Sequence, residues 1–251
     1  MLTLYFSGTG NTKWLAEKFS YQIAAECHSI EEKKDFTTLI ENNEIIAFCY
    51  PIYGARIPRI MREFVQKYDK LILGKKIIIL VTQWIWSGDG TRAFTDLLPK
   101  DAIKVIYAEH FRMPSNICNI SFIKQESAKK VAWYINNAEK KLQIVCHNIQ
   151  NGVIVRRGFN FLSWLGGLIF SRLMPKLERK FADAVIVFPD CTGCGLCCNL
   201  CPMNNLKISH KKAQGQGNCI FCFRCVNNCP QKAITAGGVK SRPKWQYHND
   251  S

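Results

Sequence analysis

The chain has 251 residues, 47% of them apolar and 21% charged, and 34 lysines and arginines against 19 acidic residues give a formal net charge of +15. That apolar share supports a packed core and excludes wholesale disorder, and the length holds a domain of about 150 residues plus a smaller one. Thirteen cysteines with no secretory leader ahead of the first apolar run point to thiols in a reducing, cytoplasmic setting rather than to a disulfide scaffold.

Strand and helix patterns alternate through the first 110 residues. Leu2–Phe6 predicts a strand, Thr12–Glu26 a helix, Glu44–Tyr50 a strand and Ile57–Tyr68 a helix. A strand at Lys76–Thr82, a helix at Thr91–Leu98 and a strand at Ile103–Glu109 follow, with a further short strand expected at His28–Ile30. The runs Ile45-Ile46-Ala47-Phe48 and Ile77-Ile78-Ile79-Leu80-Val81 are apolar on both faces, as parallel strands covered on either side must be. The expected fold class is therefore α/β, a doubly wound sheet of five parallel strands over residues 1–150. Ser121–Gln150 reads as helix with a charged outer face.

The stretch Gly158–Ser171 is apolar, 14 residues long, and bounded by Arg156, Arg157 and Arg172. It is too short to span a bilayer. It suits an interdomain helix within a connector at 151–183, with peripheral contact to a membrane or partner as the alternative.

Nine of the thirteen cysteines fall between Cys191 and Cys229, in a small α+β region expected at 184–251. Cys191, Cys194, Cys197 and Cys201 follow C-x2-C-x2-C-x3-C with Pro202 next; Cys219, Cys222, Cys225 and Cys229 repeat the spacing with Pro230 next. Three thiolates two residues apart suit one iron–sulfur cube, and the fourth is turned away by its extra spacing and the proline. Structural zinc uses paired C-x2-C ligands instead, and does not call for this run twice. Cys198 stands outside the pattern, and Cys27, Cys49, Cys118 and Cys146 read as reduced, packed thiols.

Ser7-Gly8-Thr9-Gly10-Asn11-Thr12 follows the first strand and opens the first helix. Backbone N–H groups and small hydroxyls at such a turn make an anion cradle. A dinucleotide fingerprint needs glycine at position 13, which is lysine, and an NTPase loop needs Gly-Lys-Ser/Thr, also missing. Two later loops, Pro51-Ile52-Tyr53-Gly54 and Thr82-Gln83-Trp84 through Ser87-Gly88-Asp89-Gly90, leave the same carboxyl edge, where open α/β sheets bind ligands.

The Ser7–Thr12 loop resembles the FMN phosphate loop of flavodoxins, and the cysteine runs resemble two-cluster bacterial ferredoxins. The order of the two, with Met113-Pro114-Ser115-Asn116 between, is similar to the flavodoxin–ferredoxin fusion family of anaerobic bacteria and archaea. That resemblance implies FMN held by Ser7, Gly8, Thr9, Gly10, Asn11, Thr12, Pro51, Ile52, Tyr53, Gly54, Thr82, Gln83, Trp84, Ser87, Gly88, Asp89 and Gly90. It also implies two [4Fe–4S] clusters, one on Cys191, Cys194, Cys197 and Cys229 and the other on Cys219, Cys222, Cys225 and Cys201. The Tyr53–Gly54 peptide is the expected hydrogen-bond partner beside the flavin ring.

The function this implies is electron transfer between FMN, the clusters and an external redox partner. A flavin-dependent reductase of a small substrate is the alternative, although His28, His110, His147, His210 and His248 form no acid–base group in the sequence. A nucleic-acid binder through Lys240, Arg242, Lys244 and Trp245 is the third. Residues 191–251 carry eight basic groups and one acidic. With about −2 for each cluster and for the FMN phosphate, the loaded chain stands near roughly +9. An acidic carrier of ferredoxin or flavodoxin type, or another oxidoreductase, is the expected partner, and nucleic acid is not expected.

Overall fold

A computed structural model describes residues 1–53, 56–85, 89–117, 126–161, 163, 178 and 182–237. In the first half, strands β1 (Leu2–Tyr5), β2 (Glu26–Ser29), β3 (Ile45–Pro51), β4 (Lys76–Gln83), β5 (Lys104–Arg112) and β6 (Val155–Arg156) form one sheet in the order β2-β1-β3-β4-β5-β6. Every pairing in it is parallel, with Leu2 opposite Ile46 and Ala47 opposite Ile78. The sheet thus has one strand more than the five expected. β6 is only two residues long and beyond residue 150, too short to carry a periodic signal.

Alternate residues of the central strands feed two cores. Leu4, Phe6, Ile46, Phe48, Tyr50, Ile77 and Ile79 pack on one face; Tyr5, Ala47, Cys49, Ile78 and Leu80 pack on the other. This is the both-face burial that the apolar runs demanded. Helix α1 (Asn11–Ile23) lays Leu15, Ala16 and Phe19 against the second face. α2 (Phe36–Glu41), which has no long periodic pattern, is held by Asp35, whose carboxylate accepts from the Thr37 and Thr38 N–H groups. α3 (Arg59–Lys67) and the one-turn α4 (Asp69–Ile72) follow β3, and a 3-10 helix at Arg92–Leu97 stands where Thr91–Leu98 was expected. α5 (Ala128–Gln150) is capped by the Ser127 hydroxyl and buries Val131, Tyr134, Ala138, Leu142 and Val145 at helical spacing. Among the described residues no helix is long and apolar enough to cross a membrane. Most of the apolar stretch 158–171 lies outside them; within it, Phe159 packs on the first core and Phe161 is exposed.

The second half is built on short elements. β7 (Val185–Val187) pairs antiparallel with β10 (Ile234–Ala236), and β8 (Leu206–Ser209) forms a hairpin with β9 (Lys212–Gly215). His210 and Lys211 at the hairpin tip have φ of 47° and 59°, a left-handed pair of the kind two-residue hairpins need, here without the usual glycine or asparagine. Helices α6 (Leu196–Leu200) and α7 (Arg224–Asn228) each start inside a cysteine run. Ile220 and Cys222 of the second run belong to the first core of the sheet, so the two halves share packing.

Phe94 anchors the 3-10 helix on that core, 4.7 Å from Phe48 and 6.1 Å from Tyr50 between ring centroids. Phe94→Ala is expected to cost about 3–5 kcal/mol in urea unfolding. Tyr21→Ala, at a residue 87% exposed, should stay within about 0.5 kcal/mol of the parent.

Candidate functional site

The turns after β1, β3, β4 and β5 all leave the carboxyl edge of the sheet and meet around one cavity of about 570 Å³, a size suited to a cofactor. The first of them, Ser7–Gly10, is tied inward. The Gly10 N–H donates to Ser7 Oγ at 3.0 Å, and Gly10 at φ 101° turns the chain into α1, a conformation glycine adopts without cost. Thr12 and Thr82 hydroxyls meet at 2.7 Å, Asn116 donates to Thr9 Oγ1 at 2.8 Å, and Asn11 donates to the Pro114 carbonyl at 2.8 Å. The loops after β1, β4 and β5 are thereby fixed to one another. Glu126 adds a fifth tie, accepting from Trp84 Nε1 at 3.2 Å and from the Ser115 N–H at 3.0 Å.

Of the expected flavin residues, Ser7, Gly8, Thr9, Asn11, Thr12, Pro51, Ile52, Tyr53, Thr82, Gln83 and Trp84 line this cavity. Gly10 shapes the turn without lining it. Asp89 and Gly90 are placed elsewhere: Asp89 is buried against the Arg92 guanidinium, and the Gly90 carbonyl accepts from the Tyr50 hydroxyl at 3.0 Å. They build the 3-10 helix rather than the cavity wall. Gly54, Ser87 and Gly88 lie outside the described residues.

Three buried polar atoms on the lining, Asn11 Oδ1, Tyr53 Oη and Gln83 Oε1, have no hydrogen-bond partner among the described residues. Such atoms are costly unless a ligand completes them. Burial, with the Cys222 thiol second, holds the Tyr53 hydroxyl well above its ordinary pKa, so it is a neutral donor at any working pH. With the hydroxyls of Ser7, Thr9 and Thr12 at the phosphate end, this donor set fits an FMN.

The eight expected cysteines sort into two further cavities. Cys191, Cys194, Cys197 and Cys229 line one together with Gly193, Ile208 and Ala213. Cys201, Cys219, Cys222 and Cys225 line the other together with Met203, Leu206 and Phe223. In each, three thiols come from one run and the fourth from the other, as the resemblance implied. Among the described residues no three His, Cys, Asp or Glu side chains converge on a point that would hold a single metal ion. Burial pushes Cys222 up to about 12, and burial followed by the neighbouring thiols Cys198 and Cys191 pushes Cys197 up to about 12. Thiols held so high ligate as thiolates only when a cationic group is supplied. Backbone N–H groups of Asn205, Phe221 and Ala233 already point at the sulfurs of Cys201, Cys219 and Cys229, at 3.2, 3.4 and 3.3 Å. The donor set fits iron–sulfur ligation. Cys198 hydrogen-bonds its neighbour Cys197 and lines neither cavity.

Residues not foreseen from sequence close the flavin cavity from the far side: Ile117, Phe221, Phe223 and Gly237 line it together with the Met113–Asn116 segment. Phe223 also lines the cavity of the second cysteine set. A Cβ on Gly8 would stand 2.6 Å from the Cys222 carbonyl oxygen and closer still to Tyr53 Oη, so glycine is required for this approach. Arg224 completes the joint. It donates to the carbonyls of Ser7 at 2.7 Å and Gly8 at 3.2 Å, and pairs both oxygens of Glu31 at 2.7 Å. On the other side Arg59 donates to the Asn218 carbonyl at 2.9 Å. The one signal in the sequence is that two aromatics flank Cys222 where the first run has glycines.

Of the histidines in described segments, His110 is held neutral, its pKa pushed down to about 4 by burial, and it does not line the cavity. His28 is bound to Glu26 and Glu32 on the sheet edge. His248 and the basic tail residues Lys240, Arg242, Lys244 and Trp245 lie outside the described residues.

Residues 2–108 match the flavodoxin domain family, and residues 184–230 match the 4Fe–4S dicluster domain family. No curated protein sequence matches the chain. Among solved structures it is similar to the two-electron reduced flavodoxin of Megasphaera elsdenii, at 20% identity over 44% of this chain and 85% of that one, with a TM-score of 0.39. It is also similar to a flavoprotein from Lactobacillus acidophilus in complex with FMN, at 15% identity over 43% and 91% of the two chains and a TM-score of 0.36. A third similarity is to the Trp repressor binding protein of Bacillus subtilis, at 16% identity over 45% and 84% with a TM-score of 0.38. With the two family matches in sequence, on the halves whose cavities carry the matching donor sets, the chain is a fusion of a flavodoxin domain with a 4Fe–4S dicluster domain.

Proposed function

We propose that the chain is an electron-transfer flavoprotein that holds FMN in the cavity at the sheet edge and two [4Fe–4S] clusters in the two cysteine cavities, and exchanges electrons with an external carrier. When bound, FMN exchanges two electrons one at a time and each cluster exchanges one, so the set converts between two-electron and one-electron partners. The observation that carries the reading is the shared wall: Phe223 lines both the flavin cavity and the cavity of Cys219, Cys222, Cys225 and Cys201. The second cysteine set lies behind it, in reach of the first through Cys197 and Cys225, and the first opens to solvent at Cys194. The three cavities therefore lie in series, and the first cysteine set reaches the surface at Cys194.

The roles of the chain follow from chemistry already described. Ser7, Gly8, Thr9, Asn11 and Thr12 offer hydroxyl and backbone donors to a phosphate. Tyr53 and Gln83 offer polar atoms to the ring, and Trp84 is held in the wall by Glu126. At the exposed end, the Lys211 backbone lies against Gly193 of the first cysteine cavity, Lys207, Lys212 and Lys232 adjoin its lining residues Ile208, Ala213 and Gln231 in sequence, and all four lysines are exposed, as are Leu196 and Ile208. A basic rim with apolar centres fits an acidic one-electron carrier of ferredoxin or flavodoxin type.

Anaerobic purification with metal, sulfide and flavin analysis tests the cofactors: about eight iron atoms and one FMN per chain are expected, and zinc or a flavin-free chain refutes the reading. Gly8→Ala should weaken FMN binding about tenfold or more, measured by flavin fluorescence, because the methyl group meets Tyr53 and the Cys222 backbone. Reversing Lys211 and Lys212 to glutamate should slow electron exchange with an acidic ferredoxin about tenfold at low ionic strength. Lys70→Glu and Lys100→Glu, far from that cavity, should leave the rate within a factor of two, roughly the scatter of rim charges. The same rate in both pairs rules out this docking face.

A further inference from the structure

The two cysteine runs repeat in spacing but not in what stands between the cysteines. In the first run Gly193 and Gly195 have φ of 69° and 79°. The equivalent positions of the second run are Phe221 and Phe223, and they keep the same left-handed conformation, at 59° and 57°. Glycine accepts that conformation freely and a bulky side chain is strained in it, so ligating the cysteines does not account for the phenylalanines. Their surroundings do. The two rings pack edge to face with centroids 5.7 Å apart, and both line the flavin cavity opposite the sheet.

The next residue points the same way. Arg224 holds the carbonyls of Ser7 and Gly8. A trans peptide is planar with its N–H opposed to its C=O, so this grip aims the N–H groups of Gly8 and Thr9 away from the guanidinium, on the loop that lines the cavity. Glu31 fixes the guanidinium from the far side, and the Leu200 carbonyl accepts from it at 3.2 Å. Leu200 immediately precedes Cys201, a member of the second cysteine set. Arg224 thus bridges the phosphate loop and the cage of that set.

We propose that residues 221–224 are a flavin-binding element carried by the second cysteine loop: Phe221 and Phe223 form the outer wall against FMN, and Arg224 is a positioning residue for the phosphate loop. The inference rests on the FMN reading above and adds a consequence: filling the flavin cavity and filling the Cys201–Cys219–Cys222–Cys225 cavity are one linked equilibrium, in which each occupant strengthens the other.

The test uses the full iron-loaded chain stripped of flavin and titrated with FMN. Phe221→Gly should weaken FMN binding about tenfold or more, while the visible circular dichroism of the clusters and the thermal midpoint of the flavin-free protein stay level or rise, because this ring is half-buried and glycine relieves the backbone. Phe223→Gly should weaken FMN as much but lower the midpoint, because that ring is buried in the core. A purely structural role for Phe221 would show the opposite pattern. Arg224→Ala should weaken FMN to a similar degree, with partial recovery in Arg224→Lys. In the parent chain, saturating FMN should slow iron loss to a chelator and shift the cluster dichroism, and both effects should vanish in Arg224→Ala. The proposal is overturned if both glycine variants bind FMN within twofold of the parent, or if FMN leaves iron loss unchanged. A parent chain that takes up iron but no FMN overturns the flavin reading itself, and this proposal with it.

Discussion

The grip of Arg224 on the backs of two peptides is the interaction from which the joint between the halves follows. A guanidinium has five donors and no acceptor, so once mostly buried it must be met by oxygens on every side. Here those oxygens are two carbonyls of the phosphate loop, one carbonyl at the end of α6 and the carboxylate of Glu31. None of these partners can move without stranding the charge. The loop geometry at the sheet edge, the seating of the second cysteine loop and the burial of Ile220 and Cys222 in the core of the sheet are consistent with that one requirement.

Around it the molecule divides its labour by exposure. The sheet edge supplies a cavity with unsatisfied polar atoms and apolar walls, and the second cysteine set is enclosed behind it. The first set reaches the surface. Four exposed lysines adjoin that open end, and the buried joint is instead knitted by arginines, Arg59 and Arg224, whose planar forks suit backbone carbonyls and carboxylates. Part of a basic composition that in isolation suggests nucleic acid is thus used for internal clamps, Arg59 and Arg224.

Much of this was legible in the residues because it rests on local rules. The both-face apolar runs require a covered parallel sheet, and β3 and β4 lie within a residue or two of where periodicity places them. The cysteine spacing and its prolines are geometric, and the crossed sets appear in the two cavities. What escaped reading depends on tertiary company. β6 has two residues and exists because β5 offers it an edge. α2 is a single cap and a turn. Asp89 and Gly90 follow a strand at the right edge, yet an arginine three residues on captures Asp89 and a tyrosine on β3 takes the Gly90 carbonyl. Phe221 and Phe223 look like packing aromatics, and only the fold reveals that they face another domain's cavity from a conformation that suits glycine.

The crossing of the cysteine sets has a consequence for how the chain is made. Each cysteine cavity needs a thiol from the other run, and the cavity at the sheet edge needs Phe221, Phe223 and Gly237 for its outer wall. During synthesis the sheet residues emerge first and can fold as a unit, but none of the three cavities is complete until residues past 224 have left the ribosome. A nascent chain can therefore display a folded sheet with an unfinished pocket, and a chain truncated within the second run loses all three sites together.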